Sequence, residues 1–189
     1  MKVTKFFNFA LYCAIVFGAM TMLSCKPELE PKLKVGQKYQ GGIIAYIDAT
    51  GEHGLIAALE DQSTGMVWWN GSSILTGAAL TAIGTGKSNT DVIVAAQGAG
   101  NYAANLCKSL NMGGYSDWFL PSLDELSELF KNKIEIGGFD LSYDGKYVSS
   151  SEHELASGSV WVLYFGNGKV IPQTTSKSSP SKVRAVRYF

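Results

Sequence analysis

The chain has 189 residues, in which 16 Lys and Arg balance 16 Asp and Glu, and 46% of the residues are hydrophobic. This length supplies one ordinary domain with a packed core, and two domains would be cramped. The neutral charge balance excludes the strongly basic surface that attracts nucleic acid, so we expect no nucleic acid partner.

The first residues resemble an export signal. Lys2 and Lys5 precede an apolar run over residues 6–23, the order found in secretory signal peptides. The run ends in Met22-Leu-Ser-Cys25, which resembles a lipobox, where a small residue precedes a cysteine that accepts diacylglycerol before cleavage. We therefore expect a bacterial lipoprotein whose membrane partner is reached through lipid on Cys25.

This signal divides the chain into a signal peptide at 1–24, a tether at 25–35 and one domain at 36–189. Two prolines and alternating charges in the tether favour a stiff, solvated spacer. Lys26 stands where aspartate favours inner-membrane retention, so we expect a lipid-anchored protein of the cell envelope, at the outer membrane. The alternative is an uncleaved signal anchor with Cys25 as an ordinary thiol, because an apolar helix of this length just spans a bilayer.

The cysteines limit how the domain can be stabilised. Lipidation of Cys25 and removal of Cys13 leave Cys107 as a single free thiol, which excludes an intramolecular disulfide. The core must come from packing, and large aromatic side chains supply the apolar surface for it. We expect Trp118 and Trp161 to be buried, since Trp161 has apolar neighbours on both faces of a strand.

The domain opens with a β-hairpin. Residues 42–47 and 54–59 are short β-prone runs, and the link 48–53 between them is rich in turn formers. The following stretch, 61–89, is rich in Gly, Ser and Thr and contains one strand-like piece at 66–69. We therefore expect a long irregular excursion that is packed by its tryptophans.

A first helix follows this excursion. Asn89, Thr90 and Asp91 are residues of the kind that cap a helix, and the apolar positions up to Leu110 have approximately helical spacing. Gly98 and Gly100 fall inside this segment, so the helix can break there.

A second helix is indicated by a capping box. The Ser122 side chain can accept a hydrogen bond from the Glu125 amide, while the Glu125 carboxylate reaches back to the Ser122 amide. The helix should end near Lys131. We expect its apolar face to pack against the core and Asp124, Glu125 and Glu128 to be exposed to solvent.

Strands return in the last third of the chain. Residues 166–169, Gly-Asn-Gly-Lys, predict a type I′ turn between two strands, because Asn-Gly tolerates positive φ angles. The four strand candidates lie at 147–151, 160–165, 170–173 and 183–189. Strands on both sides of two central helices predict an α+β fold.

Several stretches resemble one known bacterial family. Residues 114–126, GYSDWFLPSLDEL, are similar to the G-Y-x-D-W-x-L-P-S-x-x-E-L signature of the Lcl C-terminal domain family, which is named for a collagen-like adhesin. The opening hairpin, the YVSSSE run at 147–152 and the VRAVR ending at 183–187 also match it. The resemblance covers 36–189 and implies a C-type-lectin-like fold, with a small twisted antiparallel sheet, two helices, and N and C termini paired in one hairpin.

The resemblance also indicates where a ligand would bind. Lectin-like folds commonly bind through loops, and this implies Tyr115, Glu152 and His153 as candidate ligand contacts. Trp69 is a further candidate, because Trp68 and Trp69 are consecutive and neighbouring strand residues face opposite ways. The calcium-dependent sugar motifs of true C-type lectins do not occur in the sequence, so calcium-mediated sugar binding is not supported.

No residue set in the sequence makes a convincing catalytic or metal site. His53 and His153 are isolated from each other, and Cys107 stands alone at an apolar helix position, so we expect no metal and no cofactor. The most specific enzymatic alternative is a nucleophilic pair of Cys107 with His53 or His153, for which the sequence has no local signature. A pair formed by Asp117 and Glu125 is weaker, since Glu125 is already explained as a helix cap.

The sequence therefore favours a lipid-anchored envelope module that binds a glycan or a surface protein without catalysis. Two alternatives stay open. One is a structural or assembly component of the envelope, and the other is an envelope hydrolase.

Overall fold

The computed structural model describes residues 32–166 and 171–189. The predicted signal peptide, Cys25, most of the predicted tether and Asn167-Gly168 of the predicted turn lie outside these described residues. Within the described part of the chain, no helix has both the length and the apolar character needed to cross a membrane.

The described residues form strands at both ends and helices in the middle, so the predicted α+β class is confirmed. The strands are β1 (Lys38–Tyr39), β2 (Gly42–Ile47), β3 (Gly54–Ala57), β4 (Ser63–Met66), β5 (Lys146–Glu152), β6 (Ser159–Tyr164), β7 (Gln173–Ser176), β8 (Ser181–Val183) and β9 (Val186–Tyr188). The helices are α1 (Gly86–Gln97), α2 (Ala103–Lys108), α3 (Leu123–Lys131) and α4 (Lys133–Ile136).

The first sheet has the strand order β1-β2-β3-β9 and is antiparallel throughout. The predicted hairpin is present as β2 and β3, and the Asp48 carboxylate closes its turn by accepting from the Thr50 amide at 2.9 Å. The last strand joins this sheet beside β3, not beside β1, and the rings of Tyr39 and Phe189 meet edge to face at 5.5 Å. Both ends of the domain therefore lie in one sheet.

A second sheet, with the order β4-β8-β5-β6-β7, was not expected from the sequence. The segment predicted as one last strand is divided between β8 and β9, which belong to different sheets. Arg184 lies at the corner and is buried, and its guanidinium donates to the Asp61 carboxylate at 2.7 Å and to the Ala58 carbonyl at 3.1 Å. These inward bonds hold the chain where it changes sheet.

The first helix begins earlier than predicted. It starts at Gly86, and Asn89 and Thr90 are buried inside it, where they bond neighbouring segments instead of capping the helix. The Thr90 hydroxyl donates to the Gly86 carbonyl at 2.8 Å and accepts from the Leu120 amide at 3.0 Å. The predicted break is confirmed, because α1 ends at Gln97, Gly98 follows with a φ of 70°, and a separate short helix, α2, comes next.

The capping box of α3 is confirmed. The Ser122 hydroxyl accepts from the Glu125 amide at 3.3 Å, and the Glu125 carboxylate accepts from the Ser122 amide at 2.8 Å. The predicted exposure of Glu125 is wrong, since this side chain is completely buried.

Trp118 is buried as expected, whereas Trp161 is only half-buried. Glu125 and Trp161 both belong to the region described next.

Candidate functional site

The backbone of a long loop between β4 and α1 is hydrogen-bonded to buried polar side chains. We call residues 74–85 the anchored loop. Its backbone bonds to groups on α1, β5 and the N-terminal end of α3. Two of those groups are the buried carboxylates of Glu125 and Glu152. Because a buried carboxylate is costly unless it is fully bonded, the loop and the two acids stabilise each other.

Glu152, at the end of β5, fixes the first part of the anchored loop. Its carboxylate accepts from the amides of Thr76 at 3.0 Å and Gly77 at 3.1 Å, and it pairs with the buried Lys177 ammonium. Lys177 donates in addition to the Ile74 carbonyl at 2.6 Å. The sequence predicted Glu152 as a candidate ligand contact, and the structure corrects this prediction. Only 1% of the Glu152 side chain is exposed, so it supports the loop from the interior.

Glu125 fixes the other end of the loop. Its carboxylate accepts from the Gly84 amide at 2.9 Å, from the Ser122 amide at 2.8 Å and from the Tyr188 hydroxyl at 2.7 Å. Burial, and then the charge of Glu125, raise the pKa of Tyr188 well above its usual range. Glu125 has no ion-pair partner within the described part of the chain, so neutral donors, among them the Gly86 amide at 3.5 Å, offset its desolvation.

The middle of the anchored loop is bonded through the carbonyls of residues 80–82. The donors to them are Asn89 Nδ2 at 2.6 Å and Ser151 Oγ at 2.8 Å on Leu80, the Asp124 amide at 2.9 Å on Thr81, and Ser122 Oγ at 2.9 Å on Ala82. Three of these donors, Ser122, Asp124 and Ser151, belong to two of the stretches that resemble the Lcl C-terminal domain family, 114–126 and 147–152. These stretches therefore serve to hold the backbone of this loop.

The aliphatic side chains of the anchored loop are turned outward. Leu75 is 62% exposed, Leu80 55% and Ile83 40%, and Leu155 on the adjoining turn between β5 and β6 is 92% exposed. Clustered exposed apolar side chains often mark interaction sites. A loop with a fixed backbone and exposed apolar side chains has the properties of a preformed binding surface.

A cleft opens between the anchored loop and the β5–β6 turn. This Trp161 cleft has a volume of about 230 Å³ and is lined by Ala79, Thr81, His153, Glu154, Leu155 and Trp161. The ring of His153 lies against the indole of Trp161, with centroids 5.1 Å apart and planes tilted by 38°. His153 Nδ1 accepts from the Leu155 amide at 3.3 Å, so the neutral imidazole carries its proton on Nε2.

A second cleft, of about 280 Å³, lies against Ile83 and Gly84 of the anchored loop. Tyr46, His53 and Phe189 contribute to its walls. The anchored loop therefore contributes to two clefts, and each of them has one histidine in its wall.

Of the four predicted contact residues, only His153 lines the Trp161 cleft. Trp69 is half-buried and lies outside that cleft. Tyr115 is half-buried, and the Arg187 guanidinium lies over its ring, 3.9 Å from the Tyr115 ring centroid.

The sequence did not indicate Trp161, because the apolar neighbours on both faces of its strand favoured burial. Pairing β5 with β6 across their short link would have placed it beside His153.

The residues proposed for catalysis are engaged elsewhere. Cys107 is completely buried in the core, and desolvation raises the pKa of its thiol far above the usual range, which disfavours the nucleophilic thiolate. Asp117 accepts two bonds from the Arg187 guanidinium at 2.7 and 3.0 Å, and these bonds lower its pKa. Among the described residues, no group of three or more His, Cys, Asp and Glu side chains could hold a metal ion.

Comparison with known proteins identifies the family. No curated protein matches the chain. The model of the Lcl C-terminal domain family matches residues 57–187, more than half of the chain. The matched range includes the anchored loop, the capping box of α3, the Ser-Ser-Glu run of β5 and the change of sheet at Arg184. The chain therefore belongs to the Lcl C-terminal domain family.

Proposed function

We propose that this protein is a lipid-anchored binding module of the cell envelope, which recognises a glycan or a protein partner through the anchored loop without catalysis. One observation carries the proposal. The backbone of the loop is bonded inward to buried side chains, while Leu75, Leu80 and Ile83 are exposed. A loop that is already ordered loses little conformational entropy when a partner binds, so more of the contact energy becomes affinity.

The scaffold that we propose is C-type-lectin-like. An α+β domain whose first and last strands share one sheet, with a long loop whose backbone is hydrogen-bonded to α1, β5 and α3, supports this assignment. Loops of such a scaffold are suited to present a binding surface, although the fold by itself does not fix the ligand.

Site-specific photo-crosslinking in native cells tests the proposal. A diazirine-bearing residue at position 80 of the full-length chain should form covalent adducts, because a bound glycan or protein would cover that position. The matched control is position 143, since Tyr143 is 83% exposed but lines a separate cleft with Tyr164.

Adducts at position 80 that are at least fivefold more abundant than at position 143 would support the proposal. Equal labelling at the two positions, or none at either, would overturn it and favour a structural or assembly role in the envelope.

A further inference from the structure

We propose that the Trp161 cleft receives a lysine or arginine side chain from an extended, apolar segment of a partner protein. This inference rests on the proposed function and narrows it, since it selects a protein partner over a glycan. Four properties of the cleft lead to it: its charge, its aromatic wall, its aliphatic rim and its size.

The charge of the cleft is acidic. Glu154 lines it and is exposed, and none of its lining residues is a lysine or arginine. Asp124 is exposed nearby, where its amide donates to the Thr81 carbonyl at 2.9 Å. Within the described part of the chain, neither acid has an ion-pair partner. An incoming cation would therefore meet carboxylates that are not already neutralised, and a sulfated or carboxylated glycan would be repelled.

The aromatic wall suits the same cation. Trp161 and Glu154 both line the cleft, and the ring of His153 lies against the Trp161 indole. An ammonium or guanidinium group is attracted both to the face of an indole and to a carboxylate, and arginine in addition stacks flat on aromatic rings. Lysine or arginine is thus the side chain whose chemistry matches both groups.

The apolar rim of the cleft favours a peptide over a sugar as the ligand. Leu155 lines the cleft, and Leu80 lies between the lining residues Ala79 and Thr81. A neutral sugar stacked on Trp161 would turn hydroxyl groups towards Leu155, whose side chain cannot accept or donate hydrogen bonds. An apolar side chain of a peptide would instead bury Leu155, and removing apolar surface from water is favourable.

The size of the cleft sets the form of the partner. A volume of about 230 Å³ accommodates one long side chain but not a folded element. The exposed Leu155 would then contact a residue next to that side chain. An extended segment, with a central basic residue between apolar ones, fits this arrangement.

Peptide binding by the full-length chain, purified in detergent, tests the inference. The probes are three fluorescent pentapeptides, Leu-Val-Arg-Val-Leu, Leu-Val-Glu-Val-Leu and Ser-Gly-Arg-Gly-Ser, with affinity measured by fluorescence anisotropy. We expect the first to bind at least tenfold more tightly than either of the others. The substitution Glu154→Gln should weaken its binding three- to tenfold and reduce its dependence on salt, and Leu155→Ser should weaken it similarly.

Glu135→Gln is the matched control for Glu154→Gln, because Glu135 is an exposed glutamate on α4 and does not line the cleft. Equal affinity for the three peptides, or equal effects of Glu154→Gln and Glu135→Gln, would overturn the inference. Adducts at position 80 without selective peptide binding would leave the proposed function standing and reject the basic segment. Loss of both would reject the two proposals together.

Discussion

Several side chains ionise differently in the folded protein, and each of them does so because of specific neighbours. Asp140, before β5, is a half-buried example. The Ser142 amide donates to its carboxylate at 2.9 Å, and Lys182 lies 2.9 Å from its other oxygen. The backbone bond from Ser142 is the largest cause, and together with the Ser142 hydroxyl and Lys182 it lowers the pKa of Asp140 to about 2.

This lowered pKa predicts a pH-dependent contribution of Asp140 to stability. A carboxylate whose folded pKa lies below its ordinary value of 3.8 stabilises the fold above that value and stops doing so as the pH falls towards about 2. We expect Asp140→Asn to lower the free energy of unfolding at neutral pH and to match the wild type near pH 2. Denaturant titrations across this range measure the difference, and a difference that does not change with pH would contradict the assignment.

At the scale of elements, the anchored loop depends on segments that are far away in the sequence. The Ser-Ser-Glu run of β5 and the capping box of α3 are separated by more than twenty residues, yet both bond to the same loop. The capping residues thus have two roles, since Ser122 and Glu125 begin the helix and also bond the loop backbone. Replacing one of these buried side chains should therefore affect more than its own element.

The substitution Glu152→Gln tests directly whether the anchored loop depends on these buried side chains. It leaves the Lys177 ammonium buried without its counterion and places an amide donor among the loop N–H groups. Breaking a buried ion pair by removing one partner typically costs about 3–5 kcal/mol. We expect a loss of that order in chemical denaturation, together with faster hydrogen exchange at the amides of Thr76 and Gly77.

The neighbouring Glu154 supplies the control, since it is exposed and lies outside the ion pair. Glu154→Gln should change the free energy of unfolding by less than about 0.5 kcal/mol, as expected for a surface substitution. If the two variants were equally stable, Glu152 would not hold the loop.

At the scale of the whole molecule, the domain is stabilised by packing, without a disulfide among the described residues. Cys107 is a buried free thiol in the larger hydrophobic cluster, beside Trp68 and Trp118. The other cluster packs α3 against both sheets through Phe130, Phe165 and their neighbours. A domain whose described residues supply such a core is compatible with the lipid that we propose on Cys25.

Metabolic labelling tests the anchor that we propose. Cells that express the full-length chain and are grown with a radioactive fatty acid should incorporate the label into the wild type and not into Cys25→Ala. Cys107→Ser is the control, since its thiol is buried and should play no part in lipidation. An unlabelled wild type would reject the lipoprotein assignment.

The amino-acid sequence by itself determined the features that depend on neighbouring residues. The β2–β3 hairpin, the capping box of α3 and the helix break at Gly98 were all predicted, because turn propensity, capping and backbone freedom act within a few residues. The signature at 114–126 pointed in addition to the family that the comparison then identified.

Only the tertiary structure decided which polar residues are buried and which aromatic ones reach the surface. Glu125 and Glu152 look like ordinary exposed acids in the sequence, and they are buried because a distant loop supplies their hydrogen-bond donors. Trp161 looks like a core residue, and it lines a cleft because the β5–β6 turn brings His153 against it. Such burial depends on contacts between segments far apart in the chain, so no local pattern records it, and the candidate site emerged only once those segments were assembled.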